Sequence, residues 1–358
     1  MQSQSQRAEL AARIVPHAPP VLIDRPYTDA QHRRVLNVIR REGPWKLIIA
    51  QHFASVDELI ATSSGAATEG LTLDDFVTPT FRGYLAKDSI CLYPEIEDVF
   101  YNHGFLDHVR AYWNAQYALP DQLLFNLNGA CENFDPAHLD AAEFRGVGHS
   151  DSPTWLMNMM AKSGLFRDYQ KKKAQIVSWF YRGSEGGGFT YWPQGIMAAP
   201  ARLAAPMWNK GVVVENEMMF HRGEGNGPPS RRRPAGLAFH SLMAADPQSD
   251  GWVITTDGTV IDQVADEETR FLLHWSADVF ADMDEMRKVL DHKDDLTHDM
   301  VFDRFVADLR ARGLTFEVPS DPLHDPGFIR LIAATYDLGE PVTYPADAPG
   351  PREVRMAA

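Results

Sequence analysis

The middle of the chain constrains its fold most. Between Leu123 and Val264, short extended segments follow one another, each closed by turn chemistry. Leu123 to Asn128 ends at Gly129. Ile176 to Tyr181 runs into the glycine-rich turn Gly183 to Gly188, and Phe189 to Trp192 returns from it. Gly211 to Phe220 carries the apolar run Val212-Val213-Val214, with His221 at its end, and Gly236 to Met243 is a further strand. Trp252 to Thr256 and Thr259 to Val264 flank Asp257-Gly258, a pair that supplies the positive φ angles of a type I′ hairpin turn.

Helical signals frame this region. Residues 28–41 have Thr28 as a cap, Val35, Leu36, Val38 and Ile39 as an apolar side, and Gly43-Pro44 as a stop; Trp45 to Phe53 then reads as a strand. The aromatic-rich stretch 96–117 is expected to be helical. Residues 155–166 form another helix, with Pro153 as a start signal and Gly164 as a stop. Segments 278–290, 298–312 and 326–336 follow. The expected architecture is therefore mainly β with helical flanks, an antiparallel double sheet in an α+β chain. It divides into a mixed N-terminal part (1–120), a sheet core (121–275) and a C-terminal helical extension (276–358) of one domain, 1–358. The proline-bearing loop 193–206 is expected to shape a lid over any substrate.

Charge narrows the choice of partner. A net charge of −15 disfavours a phosphate backbone, so nucleic acid is not expected as the ligand. The two cysteines, Cys91 and Cys131, form no CxxC pair and no disulfide framework. The polar start lacks the form of a signal peptide, and no apolar run approaches the roughly 18 residues of a membrane span. These features predict a cytoplasmic protein that handles a small molecule. Its terminal helices are free to pack on the sheet core or on a second subunit of a homo-oligomer.

The chemistry-bearing stretch is 134–145, which contains His138-Leu139-Asp140. Residues two apart on an extended segment point the same way. A histidine, an aspartate and a second histidine from a later strand cap one face of a metal and leave the other positions open, a donor set suited to non-haem Fe(II). The triplet His-x-Asp is common, and the chain holds three: His138/Asp140, His149/Asp151 and His292/Asp294. The last sits in a charged interhelical stretch and reads as surface. His149/Asp151 competes, although Asp151-Ser152-Pro153 also reads as a helix entry where a side-chain oxygen serves free backbone N–H groups. His138/Asp140 follows a strand directly and has no capping role.

From Leu123 to Met243, about a third of the chain, the pattern resembles the Fe(II)/2-oxoglutarate-dependent dioxygenases. The order is a strand, His138-x-Asp140, further strands, Trp208-Asn209, an apolar strand ending in His221, then arginine and another strand. The resemblance implies a double-stranded β-helix core, the cupin-like jelly roll. It implies Fe(II) held by His138, Asp140 and His221, and 2-oxoglutarate and O2 as co-substrates. It also implies an arginine for the far carboxylate of 2-oxoglutarate, since a guanidinium fork matches a carboxylate with two hydrogen bonds. Arg231, Arg232 and Arg233 lie ten, eleven and twelve positions past His221, with Arg233 nearest the next strand. The implied reaction converts 2-oxoglutarate to succinate and oxidises a small molecule. Because Asp140 is present, hydroxylation, desaturation or ring closure is expected rather than halogenation. Arg145, Trp192, Trp208 and Arg222 are candidate substrate contacts, although Arg222, next to His221 on a strand, faces the other way. The alternative is a cupin-like metal-binding protein or isomerase without oxygenase activity.

Overall fold

A computed structural model describes residues 4–63, 70–132 and 137–349. Phe134, Asp135 and Pro136, most of the 61–70 turn and the end of the tail lie outside the described residues.

The strands in chain order are β1 (Val21–Asp24), β2 (Trp45–Leu47), β3 (Thr80–Lys87), β4 (Ile90–Cys91), β5 (Tyr117–Asn128), β6 (Lys173–Tyr181), β7 (Phe189–Tyr191), β8 (Ala201–Leu203), β9 (Met207–Val214), β10 (His221–Gly223), β11 (Leu242–Ala245), β12 (Trp252–Thr256), β13 (Thr259–Val264) and β14 (Arg270–Phe280). Eleven of them form one antiparallel sheet in the order β1-β9-β6-β14-β5-β3-β2-β11-β12-β13, with β4 beside β3. The other three form a small sheet, β10-β7-β8, and His138 bridges the free edge of β10 through His221. The chain crosses between sheets in a fixed alternation. It runs from β5 in the large sheet to His138 in the small one, back to β6, over to β7 and β8, back to β9, over to β10 and finally back to β14. This is jelly-roll connectivity.

Two strands show why the sheet has a wet face and a dry one. On β5, Leu123, Phe125 and Leu127 are buried in one core cluster, while Leu124, Asn126 and Asn128 line a cavity. On β14, Phe271, Leu273, Trp275, Ala277 and Val279 join that cluster, and Arg270, Leu272, His274 and Ser276 line the cavity. The alternation is the period of two of a strand. Each large apolar side chain buried this way contributes about 1.5–3 kcal/mol. Helices Asp29–Glu42 and His103–Trp113 cover the dry face with Val35, Val38, Ile39, Phe105 and Val109. On β9, Val213 joins that layer, whereas Val212 and Val214 pack between the two sheets with Trp179 and Phe189, which explains the unbroken apolar run. Helices Thr154–Ser163, His298–Ala311 and Pro326–Tyr336 form a second apolar layer with Leu139, Trp192 and Phe220.

Several local expectations hold. Thr28 caps the first of these helices in a reciprocal box with Gln31. Asp257 and Gly258 both take positive φ, 51° and 77°, in the β12–β13 turn. Others shift. Stretch 96–117 is split into Glu97–Phe100 and His103–Trp113, because Asn102 accepts a hydrogen bond from the Phe105 N–H and starts a new helix. Pro153 stands at the N-cap, outside the helix it was expected to begin. Trp45–Leu47 is a strand, but Ile49–His52 is helical. Residues 278–280 finish β14, and Asp282 caps a shorter helix, Met283–Leu290. His221 opens β10, after a turn over 215–220, and does not end the apolar strand.

Candidate metal centre

His138 and His221 exchange both backbone hydrogen bonds, each N–H to the other's carbonyl at 3.0 Å. Such a pair places two side chains side by side on one face of a sheet, and the imidazole centroids are 4.5 Å apart. Two residues on from His138, Asp140 points to the same face, its backbone N–H bonded to the Asn216 carbonyl. Leu139, between them, turns away into the helical layer.

One donor atom from each of His138, Asp140 and His221 lies within 4.8 Å of the other two. Oδ1 of Asp140 is 3.9 Å from Nε2 of His138 and 3.6 Å from Nε2 of His221. His221 Nδ1 is 2.9 Å from the Met219 carbonyl, which only accepts, so Nδ1 carries a proton and Nε2 is the nitrogen left to face a metal. The other carboxylate oxygen, Oδ2, accepts from Nε2 of His274 on β14 at 3.2 Å. Burial by itself raises the Asp140 carboxyl, but His221 and His274 outweigh it and hold the group well below the usual carboxylate range. An ionised carboxylate and oriented imidazoles on one face form a donor set that fits Fe(II).

The cavity around this group measures about 300 Å³. Three cationic side chains reach it. Lys173 is offset by Asp121, Glu143 and Asp278, and these carboxylates outweigh burial and hold it charged. Arg270 and Arg82 are different: among the described residues neither has a carboxylate at ion-pair distance. Arg270 donates from Nε to the Gly187 carbonyl at 2.9 Å, with the Gly188 carbonyl 3.4 Å from Nη2. Burial pushes its pKa down to about 10. The glycine-rich turn makes this hold possible. Gly187 has φ +75°, and a Cβ there would meet the Tyr181 ring at 2.4 Å.

The arginines expected to anchor a carboxylate are elsewhere. Arg231 pairs with Glu268 at 2.7 Å and with Asp262, Arg233 pairs with Glu132, and Arg232 donates to the Gly227 carbonyl. None of the three lines the cavity. Strands β11 to β13 lie between His221 and β14, the next strand to line the cavity, which begins at Arg270. The expected substrate contacts also lie outside. Arg145 forms a two-pronged pair with Asp294 at 2.7 and 3.0 Å. Trp192 is fully buried, with its indole N–H on the Thr343 carbonyl. Trp208 stacks with Arg182 on the outer face. Arg222, opposite in facing to His221, packs on Tyr344 and donates to the Pro349 carbonyl. The rival pair divides: His149 lines the cavity, while Asp151 is exposed and accepts from Gly148 N–H and Ser152 Oγ. No residue of 193–206 lines the cavity, and Ala201–Leu203 is a strand. Its outer wall comes instead from 48–63, through Ile48, His52, Phe53, Leu59 and Thr62.

His274, Arg270 and Arg82 belong to no sequence motif, although β14 carries a plain signal: Phe271, Leu273, Trp275, Ala277 and Val279 alternate with the cavity residues.

Fold and donor set together define a jelly-roll protein with a three-ligand His/Asp/His group on its inner face. No protein-family model matches the chain, and no curated protein matches it. Solved structures similar to it include an oxidoreductase of the 2OG-Fe(II) oxygenase family from Burkholderia pseudomallei, at 11% identity and TM-score 0.36, covering 78% of this chain and 93% of that one. HygX from Streptomyces hygroscopicus, with nickel and 2-oxoglutarate bound, is similar at 6% identity and TM-score 0.35, covering 78% and 88%. The viral collagen prolyl hydroxylase vCPH from Paramecium Bursaria Chlorella virus-1, a 2OG complex, is similar at 9% identity and TM-score 0.31, covering 73% and 96%. At these scores the likenesses assign no activity or substrate to this chain. Among the described residues no helix is long and apolar enough to cross a membrane.

Proposed function

We propose that this chain is an Fe(II)/2-oxoglutarate-dependent dioxygenase that oxidises, most readily hydroxylates, a small molecule. One observation carries the reading: a His138/Asp140/His221 donor group shares a cavity with Arg270, a buried guanidinium that has no carboxylate at ion-pair distance among the described residues. In this reading His138, Asp140 and His221 hold the iron, and Arg270 takes the far carboxylate of 2-oxoglutarate. A bound iron would supply O2 activation coupled to oxidative decarboxylation of 2-oxoglutarate, giving succinate and CO2, with one oxygen atom passing to succinate and the other oxidising equivalent to the substrate.

The chain's own groups have definable tasks. Met219 fixes the His221 tautomer, and His274 fixes Asp140. Arg270 supplies charge and two-pronged geometry at the deep end of β14. It stands four residues from His274, about 13 Å along the strand, and its long side chain shortens that span. Val177, Trp179, Phe189 and Leu272 line the cavity and exclude water from its floor. The presence of Asp140 as a ligand favours oxidation over halogenation. The buried Arg270 guanidinium beside the donor group favours this reading over a jelly-roll protein that only binds metal, or an isomerase, since metal binding alone does not call for it.

The test is oxygen-dependent turnover of 2-oxoglutarate. Iron-loaded wild type is expected to form succinate slowly even without substrate, and His221→Ala to form none. Equal succinate formation by both proteins counts against the proposal.

A further inference from the structure

β3 brings a second guanidinium into the cavity. Arg82 donates from Nε to Asn126 Oδ1 at 2.8 Å, and its Nη1 lies 3.0 Å from His52 Nε2. A guanidinium only donates, so that His52 nitrogen accepts and the imidazole is neutral. Burial, then Arg82, pushes the His52 pKa down to about 3, in agreement. Tyr84, two residues along the strand, lines the same corner. Among the described residues Arg82 has only neutral hydrogen-bond partners, and Asp140 acts on it at longer range. A partly desolvated charge with neutral partners favours the arrival of a counter-charge.

The corner is separate from Arg270. Arg82 pairs across β5 at Asn126, whose partner on β14 is Leu272, whereas Arg270 pairs at Asn128, one inward-facing position further along. Two strand spacings, about 10 Å, separate β3 from β14. The two sites also differ in depth. Arg270 is buried, while Arg82 is partly accessible, beside the wall formed by His52 and Phe53. A co-substrate that binds first suits the deep site, and a substrate that enters later suits the shallower one.

We propose that Arg82, with Asn126 and His52 beside it, is a second anion site that receives the carboxylate of the substrate, so that the molecule oxidised here is a small carboxylic acid. This deepens the dioxygenase reading and rests on it for the word substrate. The binding claim itself concerns Arg82 alone.

Trifluoroacetate is a suitable probe. The cobalt(II)-loaded protein is saturated with 2-oxoglutarate, and the fluorine linewidth of trifluoroacetate is compared with that of neutral trifluoroacetamide. Wild type and Arg82→Lys are expected to broaden trifluoroacetate through the nearby paramagnetic ion, and the amide far less. Arg82→Gln is expected to lose roughly tenfold or more of the effect, with 2-oxoglutarate affinity unchanged within about twofold. Equal broadening by Arg82→Gln, equal broadening of the amide, or no broadening by wild type overturns the inference. So does a loss of 2-oxoglutarate affinity in Arg82→Gln, which would place Arg82 in the co-substrate site. Arg82-dependent binding of trifluoroacetate by a protein that fails to bind 2-oxoglutarate would sustain this site and defeat the dioxygenase reading. A circular dichroism spectrum of each variant checks folding.

Discussion

His274 holds the oxygen of Asp140 that the two candidate metal ligands leave alone: its Nε2 is 3.2 Å from Oδ2, while Nε2 of His138 and of His221 face Oδ1. With His221, the larger influence, His274 holds the carboxyl well below the usual carboxylate range, and its hydrogen bond to Oδ2 leaves Oδ1 facing the centre. Replacing His274 by Phe removes no ligand but frees the carboxylate to rotate. Metal affinity should fall about 10- to 100-fold, the usual cost of losing an outer partner of a metal ligand. Competition against a calibrated chelator measures it. An unchanged affinity would make the His274 contact incidental.

Arg270 and Arg233 separate the two assignments of the co-substrate anchor. Arg270→Gln removes a charge-assisted interaction of about 1.5–3 kcal/mol, so the 2-oxoglutarate Kd should rise about 10- to 100-fold. Arg233→Gln breaks only a surface pair with Glu132 and should leave the Kd unchanged. Calorimetric titration of the nickel-loaded variants decides between them.

The turn 215–220 stores a pH dependence. Burial raises Glu215 to about 8 and Glu217 to about 7, both above the ordinary value of 4.5. In the native state each holds a proton that the unfolded chain has already released above pH 4.5. Stability contributed by these groups is therefore full below about pH 4.5 and is lost as pH rises towards 7 and 8. Glu215→Gln keeps an acceptor for the His17 N–H, which now lies 2.6 Å from Oε2. It should flatten the metal-free stability profile between pH 5 and 8 and raise stability at pH 8 by a few kcal/mol, on the order of 3. Urea unfolding across that range is the check, and a parallel profile for both proteins would refute it.

Lys162 braces the outer wall. Its buried ammonium donates to the carbonyls of Ala61, Thr62 and Ser63, at 3.1, 2.9 and 3.1 Å, where the helix Val56–Thr62 ends. A cation there satisfies carbonyls that the helix leaves open. Ser63 in turn bridges to His138. Lys162→Met should cost about 2–3 kcal/mol and speed hydrogen exchange at Ser63 and His138 more than in β5. Uniform exchange changes would point to a general loss of packing.

The legible part of this protein was its periodicity and its turn chemistry. Thr28, Gly43-Pro44 and Asp257-Gly258 act through neighbours close in sequence, and each does what its local chemistry dictates. The pair His138-x-Asp140 was readable for the same reason, and the structure brings it together with His221. What failed depended on distance along the chain. The stretch after His221 was expected to lead straight to the next core strand, but β11 to β13 intervene, and Arg231 to Arg233 lie away from the cavity that Arg270 lines. Strands β11–β13 join the far end of the large sheet, a pairing that no local pattern announces. Arg82 reaches the cavity because β3 pairs with β5, again a non-local fact. Trp192 and Arg145 looked like pocket residues by type, but type does not say which face of an element a side chain occupies.

The most direct test of the central claim is anaerobic titration of the purified protein with Fe(II) and 2-oxoglutarate, following the weak visible charge-transfer band of the chelate. A band is expected in wild type, in His149→Ala and in Arg233→Gln, and none in His138→Ala or His221→Ala. A folded wild type without the band, or a band that survives in His138→Ala and disappears in His149→Ala, would contradict it.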